Sequence, residues 1–292
     1  MKKKLIASAV SLAMALVMLT SASFAWFTVS TAPEITSIKV QMGTSKNLEI
    51  ANITATNKTD GPSEVALGDS ATGTGTWGAT ATFANAAAGI QFPVTGIDSS
   101  TKKVQTITFD DTGRVNAGTN VQALTLTDGT MADDGTNTAT ATVNIGGSKT
   151  ASYVVASSYT VWLRSNVDQA AISAALGEGT FTFAGFVNGN GNANAADNKM
   201  TNSDVIVALK DSSGNFTALT STAADTGIKL TKNTATKVTV YVLVKGDNIV
   251  AADMNHAGTA EDPYPSVSGI KVNFSSNDVP APAAPAAPTP AG

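Results

Sequence analysis

The chain has no cysteine and a single histidine, His256. Without thiols there is no cysteine nucleophile and no disulfide. An exported protein of this make-up must hold together through core and sheet, a usage that suits a Gram-positive type of exterior. One histidine cannot build the usual zinc protease centre, which needs two a helical turn apart plus a third ligand. A serine triad would have to recruit His256, and no Gly-x-Ser-x-Gly elbow is present. In Asp253-Met254-Asn255-His256-Ala257-Gly258 it reads as a surface-loop residue. Charge is scarce too: 14% of residues are charged and the net charge is −4. That leaves no basic patch on the scale nucleic-acid binding requires. Leucine, lysine and glutamate are too sparse for long amphipathic helices. No catalytic, cofactor or metal residue is expected, and no enzyme.

The first stretch is different. Lys2-Lys3-Lys4 precedes an apolar run from Leu5 to Leu19, then Thr20-Ser21-Ala22-Ser23-Phe24-Ala25. A positive head, a hydrophobic middle and a small-residue exit make a secretory signal peptide, with Ser23 and Ala25 at the −3 and −1 positions of the cleavage site. As a helix the middle spans ~22 Å, short of the ~30 Å hydrocarbon core. Leu5 to Phe27 taken together could serve instead as an uncut anchor. In the cleaved reading the membrane is met only through residues 1–25, and the rest of the chain is exported to the cell surface or beyond it. The mature chain then begins at Trp26 with about 267 residues, enough for one large β domain or two small ones.

Trp26, Phe27, Thr28, Val29, Ser30 and Thr31 are aromatic, β-branched or small, which favours an extended strand. Pro33 lacks an amide donor and closes it. Phe27 and Val29 face one way and Trp26 and Thr28 the other, so the segment needs a sheet to complete. Added to a neighbour it links subunits head to tail. Added to its own subunit it is an ordinary edge strand. Six residues alone give a weak polymer, so Ile35 and Ile38 or contacts between bodies must extend the docked length. We divide the chain into a signal peptide (1–25), an N-terminal strand segment and candidate donor (26–42), a β-sandwich body (43–279) and a Pro/Ala-rich disordered tail (280–292).

Within the body, period-two patterns recur. Ala139, Ala141, Val143 and Ile145 share one face, as do Tyr159, Val161 and Leu163, and Ile270, Val272 and Phe274. Val238–Val244 and Val205–Leu209 are apolar on both faces and read as central strands. Turns fall at Asp128-Gly129, Asp134-Gly135, Gly146-Gly147, Ser213-Gly214-Asn215 and Lys245-Gly246-Asp247. The spacing predicts an all-β, jelly-roll-like antiparallel β-sandwich with one or two short helices, preceded by the helical signal peptide. The first helix is expected over Gln169–Leu176, capped by Asp168 and ended by Gly177; a second turn of helix is expected over 248–255. Residues 185–202 read as a long loop. A split into two domains near 146–152 is an alternative, and no repeat of fixed period is present.

Candidate chemistry is thin. The pairs Asp110-Asp111, Asp133-Asp134 and Glu261-Asp262 sit in turn-like settings, and neighbours in an extended chain point to opposite faces. Asp133 and Asp134, or Asp197 and Asp204, could offer hard oxygen ligands to calcium, though no EF-hand spacing is present. Trp26, Trp77 and Trp162 could stack on sugars, but scattered aromatics are more often core. Lysine with asparagine or aspartate could form isopeptide cross-links.

Phe24-Ala25-Trp26-Phe27, then Val40-Gln41-Met42-Gly43 and Leu48-Glu49-Ile50, and near the other end Gly269–Ser275, resemble the TasA/camelysin family. The resemblance implies a secreted jelly-roll protein with a dedicated, SipW-type signal peptide, acting as a fibre subunit of a biofilm matrix. The Thr/Ala/Gly-rich middle and the Pro-Ala tail depart from the family's pattern. Camelysin relatives carry a peptidase label, for which this sequence supplies no metal site. The resemblance makes the expected partner a second copy of the chain, in a head-to-tail homopolymer, with other matrix or cell-wall components as further candidates. A monomeric surface adhesin is the alternative, and a camelysin-like protease a more distant one.

Overall fold

A computed structural model describes residues 34–35, 38–42, 48–62, 77–83, 91–98, 100–107, 121–144, 150–179, 181–186, 200–246 and 265–276. They are almost entirely strand and turn. The N-terminal part contributes β1 (Glu34–Ile35), β2 (Ile38–Met42), β3 (Leu48–Asn52), β4 (Trp77–Gly78), β5 (Thr80–Phe83), β6 (Gly96–Ile97) and β7 (Val104–Ile107). The middle contributes β8 (Val121–Leu124), β9 (Thr127–Asp128), β10 (Thr136–Asn144), β11 (Thr150–Ser165), β12 (Ile172–Leu176) and β13 (Thr182–Ala184). Then come β14 (Val205–Lys210), β15 (Phe216–Ala218), β16 (Ala224–Asp225), β17 (Thr236–Val244), β18 (Ser266–Ser268) and β19 (Ile270–Ser276).

The chain is an all-β sandwich built on one large sheet, in the order β15-β14-β17-β11-β10-β9, with β3 pairing the C-terminal half of β11 and β4 pairing β3. On one face Tyr159, Val161, Leu163, Val207 and Val240 meet Ile38, Val40, Ile172, Val272 and Phe274 of a second sheet, β16-β12-β19-β2-β5. A small sheet, β1-β18-β13, adds Val267 and Phe183 to that core. On the opposite face, Ala141, Val143, Ile206, Tyr241 and Leu243 pack against Phe92, Val94, Val104 and Leu124, which belong to or precede the sheet β6-β7-β8. Where β11 and β17 diverge, Phe92 N–H donates to Val154 O and Val94 N–H to Val244 O, so this segment fills the fork and carries the third layer onto the sheet.

The alternation explains most of this. Ala139, Ala141 and Val143 are buried while Thr142 and Asn144 are exposed; Ile270, Val272 and Phe274 are buried while Lys271 is exposed. The two runs apolar on both faces are β17 and the greater part of β14, inside the large sheet.

Four features depart from the sequence reading. The expected helix over Gln169–Leu176 is instead strand β12, whose Ile172 and Ala174 face the core while its backbone pairs with β19 and β16. Alanine-rich helix propensity gives way because a tertiary slot takes the segment's own period-two apolar set. The one regular helical turn among the described residues is 3-10, at Asn202–Asp204. β11 has no wet face from Val155 to Ser165, because the third layer and the loop after β3 cover its second side. Two ladders, β1 with β18 and β2 with β19, are parallel. The split weighed near 146–152 falls between β10 and β11, which pair from Thr136↔Tyr159 to Asn144↔Thr150. The helix expected over 248–255, and nearly all of the loop beyond Phe186 up to Met200, lie outside the described residues. Among the described residues no helix is long and apolar enough to cross a membrane.

Candidate functional site

Ser23, Ala25 and Trp26 to Thr31 lie outside the described residues, as do Asp110-Asp111, Asp197, His256 and Glu261-Asp262. What is placed is the chain that follows the candidate donor strand. β1 sits at the edge of its small sheet, with Glu34 opposite Ser266 and Ile35 opposite Val267. β2 is an inner strand: Ile38 faces Ile270, Val40 faces Val272 and Met42 faces Phe274 on one side, and Ile38 faces Phe83 on the other. Ile38 and Val40 are 1% and 0% exposed. Seated there, Ile38 pairs within its own copy of the chain. β2 and β19 come from opposite ends of the body, and a parallel pair cannot be closed by a hairpin. A slot with hydrogen-bonding strands on both sides therefore receives the N-terminal segment.

Several strands at sheet margins are short. β15, β16, β9 and β4 span Phe216–Ala218, Ala224–Asp225, Thr127–Asp128 and Trp77–Gly78. Short edges offer little template for unwanted pairing.

Asp128, Lys210 and Tyr241 form the main polar cluster. Tyr241 Oη donates to the Asp128 carboxylate at 2.9–3.0 Å, and Lys210 Nζ lies 2.9 Å from Asp128 Oδ2 and 5.1 Å from the Tyr241 ring centre. Burial, then the adjacent Asp128 charge, pushes the Tyr241 phenol above its ordinary value. A cavity of about 280 Å³ opens beside the cluster, with Lys229, Lys237, Thr236 and Thr239 also on its wall. Asp211, at its rim, is pushed up by desolvation but held below its ordinary value by hydrogen bonds from the Asn215 side chain and the backbone of Asn215, Ser213 and Gly214. The cluster is internally satisfied: each polar group already serves another. Two lysine–aspartate contacts of the kind an isopeptide would use lie among the described residues, Lys210 with Asp128 and Lys58 with Asp133. The side chains of Lys210 and Asp128 are 25% and 41% exposed and meet as a salt bridge.

A second cluster settles the tryptophans. Trp77 and Trp162 flank Ala51 across β4, β3 and β11, and both are core. Arg164 lies 4.4 Å from the Trp77 ring centre and donates through Nε to Glu49 Oε2 at 2.8 Å. Trp162 Nε1 donates to Asn57 O at 3.1 Å, and Lys237 lies 5.0 Å from its ring. These two rings make no sugar-stacking platform. The aspartates weighed for calcium are engaged elsewhere: Asp133 with Lys58 at 3.4 Å, Asp134 with Thr136 N–H and Oγ1, and Asp204 with the Thr201 N–H and hydroxyl. Among the described residues no group of three or more His, Cys, Asp or Glu could hold a metal.

Sequence reasoning missed the Asp128 cluster because its members lie 82 and 113 residues from Asp128. Asp128 beside Gly129 carries only a turn signal, and Tyr241 looks like core. No family model, curated protein or solved structure matches the chain. The likeness to TasA/camelysin rests on the segments quoted for it.

Proposed function

We propose that this is a secreted structural protein that assembles into extracellular fibres of a biofilm matrix by passing its N-terminal strand segment to the next subunit. One observation supports the reading above others: strand β2, from the N-terminal part of the chain, occupies an inner position of its sheet between β5 and β19, the last strand of the body. A segment that completes a sheet within one copy makes the same bonds when it completes the sheet of another, which is how exchanged elements build oligomers. Trp26 to Thr31 precede this segment and would extend the docked length. The apolar, weakly charged composition and the absence of cysteine fit a protein that gains strength outside the cell from sheet pairing. The proposal assigns no catalytic role and no cofactor.

The self-contained pairing of β2 favours a second reading, a monomeric surface adhesin in which the segment stays home. Electron microscopy of the purified mature chain separates the two: filaments under the first, single particles under the second. Casein hydrolysis abolished by a chelator would instead revive a camelysin-like protease.

A further inference from the structure

The cavity beside Asp128 carries charge that its own walls leave unanswered. It opens at the end of the large sheet where β14 stops at Lys210 and β17 starts at Thr236. On β17, Val238, Val240 and Val242 face the main core, so Lys237, Thr239 and Tyr241 alternate to the other side and line the cavity. Lys229 reaches the same wall from a different segment. Its neighbours Ile228 and Leu230 are buried in the main core, where Ile172 N–H donates to Ile228 O at 3.0 Å and Leu230 N–H to Gln169 O at 3.1 Å. That anchoring leaves Lys229 exposed between them. Three lysines thus meet two aspartates around one space, in a chain with only 18 lysines and arginines and a net charge of −4. Asp128 is already paired with Lys210, and Asp211 is held by Asn215 and by Ser213 N–H. Among the described residues no carboxylate pairs with Lys229 or Lys237; Lys237 has the Trp162 ring, 5.0 Å away. The hydroxyls of Ser212 and Thr236 have no hydrogen-bond partner among the described residues either.

We propose that this cavity binds one anionic sugar unit, its carboxylate or phosphate held by Lys229 and Lys237 and its hydroxyls by Ser212, Thr236 and Thr239. The two unpaired lysines set the sign of the ligand. A lysine head is a compact charge on a flexible stem and takes anionic oxygens one at a time, which suits a carboxylate or a phosphate equally. The hydroxyls set the rest. Ser212 and Thr236 can each donate and accept, and Thr239 Oγ1, which shares a 2.8 Å hydrogen bond with Thr160 Oγ1, keeps acceptor capacity. The Tyr241 ring and Ile228 give the same wall an apolar part for the C–H face of a sugar. At about 280 Å³ the space exceeds what a bare anion needs and lies just under the ~300–1,000 Å³ of small-molecule pockets, a size for one ring. The proposal adds a ligand to the molecule however its copies assemble, and does not rest on the fibre reading.

Saturation-transfer NMR detects the ligand and works on single particles and filaments alike, so it suits the chain beginning at Trp26 in either state. Glucuronate and glucose 6-phosphate are the probes, with glucose and inorganic phosphate beside them. At least one acidic sugar should bind in the millimolar range and glucose should not; which of the two binds tighter assigns the anion as carboxylate or phosphate. Raising the salt concentration should weaken binding several-fold. Lys229→Gln with Lys237→Gln should weaken it roughly tenfold or more. Lys271→Gln, which removes a lysine from an exposed position on β19, should leave it unchanged. Circular dichroism confirms that each variant keeps its sheet signal, and Lys229→Gln alone, at an exposed position, should still weaken binding several-fold should the double variant misfold. Glucose binding as tightly as the acidic sugars, inorganic phosphate binding as tightly as glucose 6-phosphate, affinity untouched by the lysine substitutions, or no binding of either acidic sugar would each overturn the proposal.

Discussion

If β2 belongs to the body's core, Ile38→Ala must cost what a buried core truncation costs. Ile38 is 1% exposed and lies in the main core with Ile270, its register partner in β19. Losing three buried carbons removes ~0.8 kcal/mol each in transfer, and the cavity left behind brings the total to about 2–5 kcal/mol. In a domain of this size that corresponds to a fall in Tm of roughly 6–12 °C for a loss of ~3 kcal/mol. Urea unfolding followed by tryptophan fluorescence is a suitable assay, since Trp77 and Trp162 are buried around β3 and β11. The midpoint should drop with the m-value unchanged. Val121→Ala, at an exposed site, should stay within ~0.5 kcal/mol of the parent and serves as the control. If Ile38→Ala matches that control, β2 is not part of the body and the slot argument fails. Protein concentration adds a second reading: a home-seated β2 gives a midpoint independent of concentration, and an exchanged one gives a midpoint that rises with it.

Three further predictions follow from the same geometry. Arg164→Met leaves the carboxylate of Glu49, whose side chain is 14% exposed, without its ion pair; it should destabilise by about 3–5 kcal/mol in urea titrations, and adding Glu49→Leu should recover much of the loss. Gly135 has φ +82° and a Cβ there would lie 2.5 Å from Thr160 O, whereas Gly214, at φ +84°, has open space; in thermal melts Gly135→Ala should therefore cost clearly more than the ~1–2 kcal/mol of left-handed strain expected for Gly214→Ala. Tyr159 and Tyr241 are both pushed above their ordinary values, chiefly by burial. The folded state then holds protons that the unfolded state releases from about pH 10 upward, so the contribution of these two tyrosines to stability is flat below that pH and falls above it. The share of tyrosinate absorbance that belongs to Tyr159 and Tyr241 should appear together with loss of the β-sheet circular dichroism signal rather than before it.

The parts of the fold legible in sequence are those where one local pattern and one environment agree. Ala139-Thr140-Ala141-Thr142-Val143 and Ile270–Phe274 alternate because one face is wet, and Val238–Val244 is apolar throughout because both faces are covered. Where the environment is supplied from far away, the local pattern misleads. Gln169–Leu176 has the composition of a helix, yet β19 and β16 take Ile172–Leu176 as a strand. Trp162 and Arg164 alternate with the apolar face of Tyr159, Val161 and Leu163, and nothing near them in the chain announces the cover from Asn57, Trp77 and Glu49. Parallel pairing of β2 with β19 joins residues that no short-range signal connects. The candidate site divides the same way: the sticky N-terminal segment is visible as composition, while the slot that receives its continuation exists only once distant strands are assembled.

Electron microscopy of the chain beginning at Trp26, side by side with the same chain lacking residues 26–32, tests the central claim most directly. The account predicts long filaments from the first and discrete, folded particles from the second. Filaments from both, or particles from both at high concentration, would contradict it.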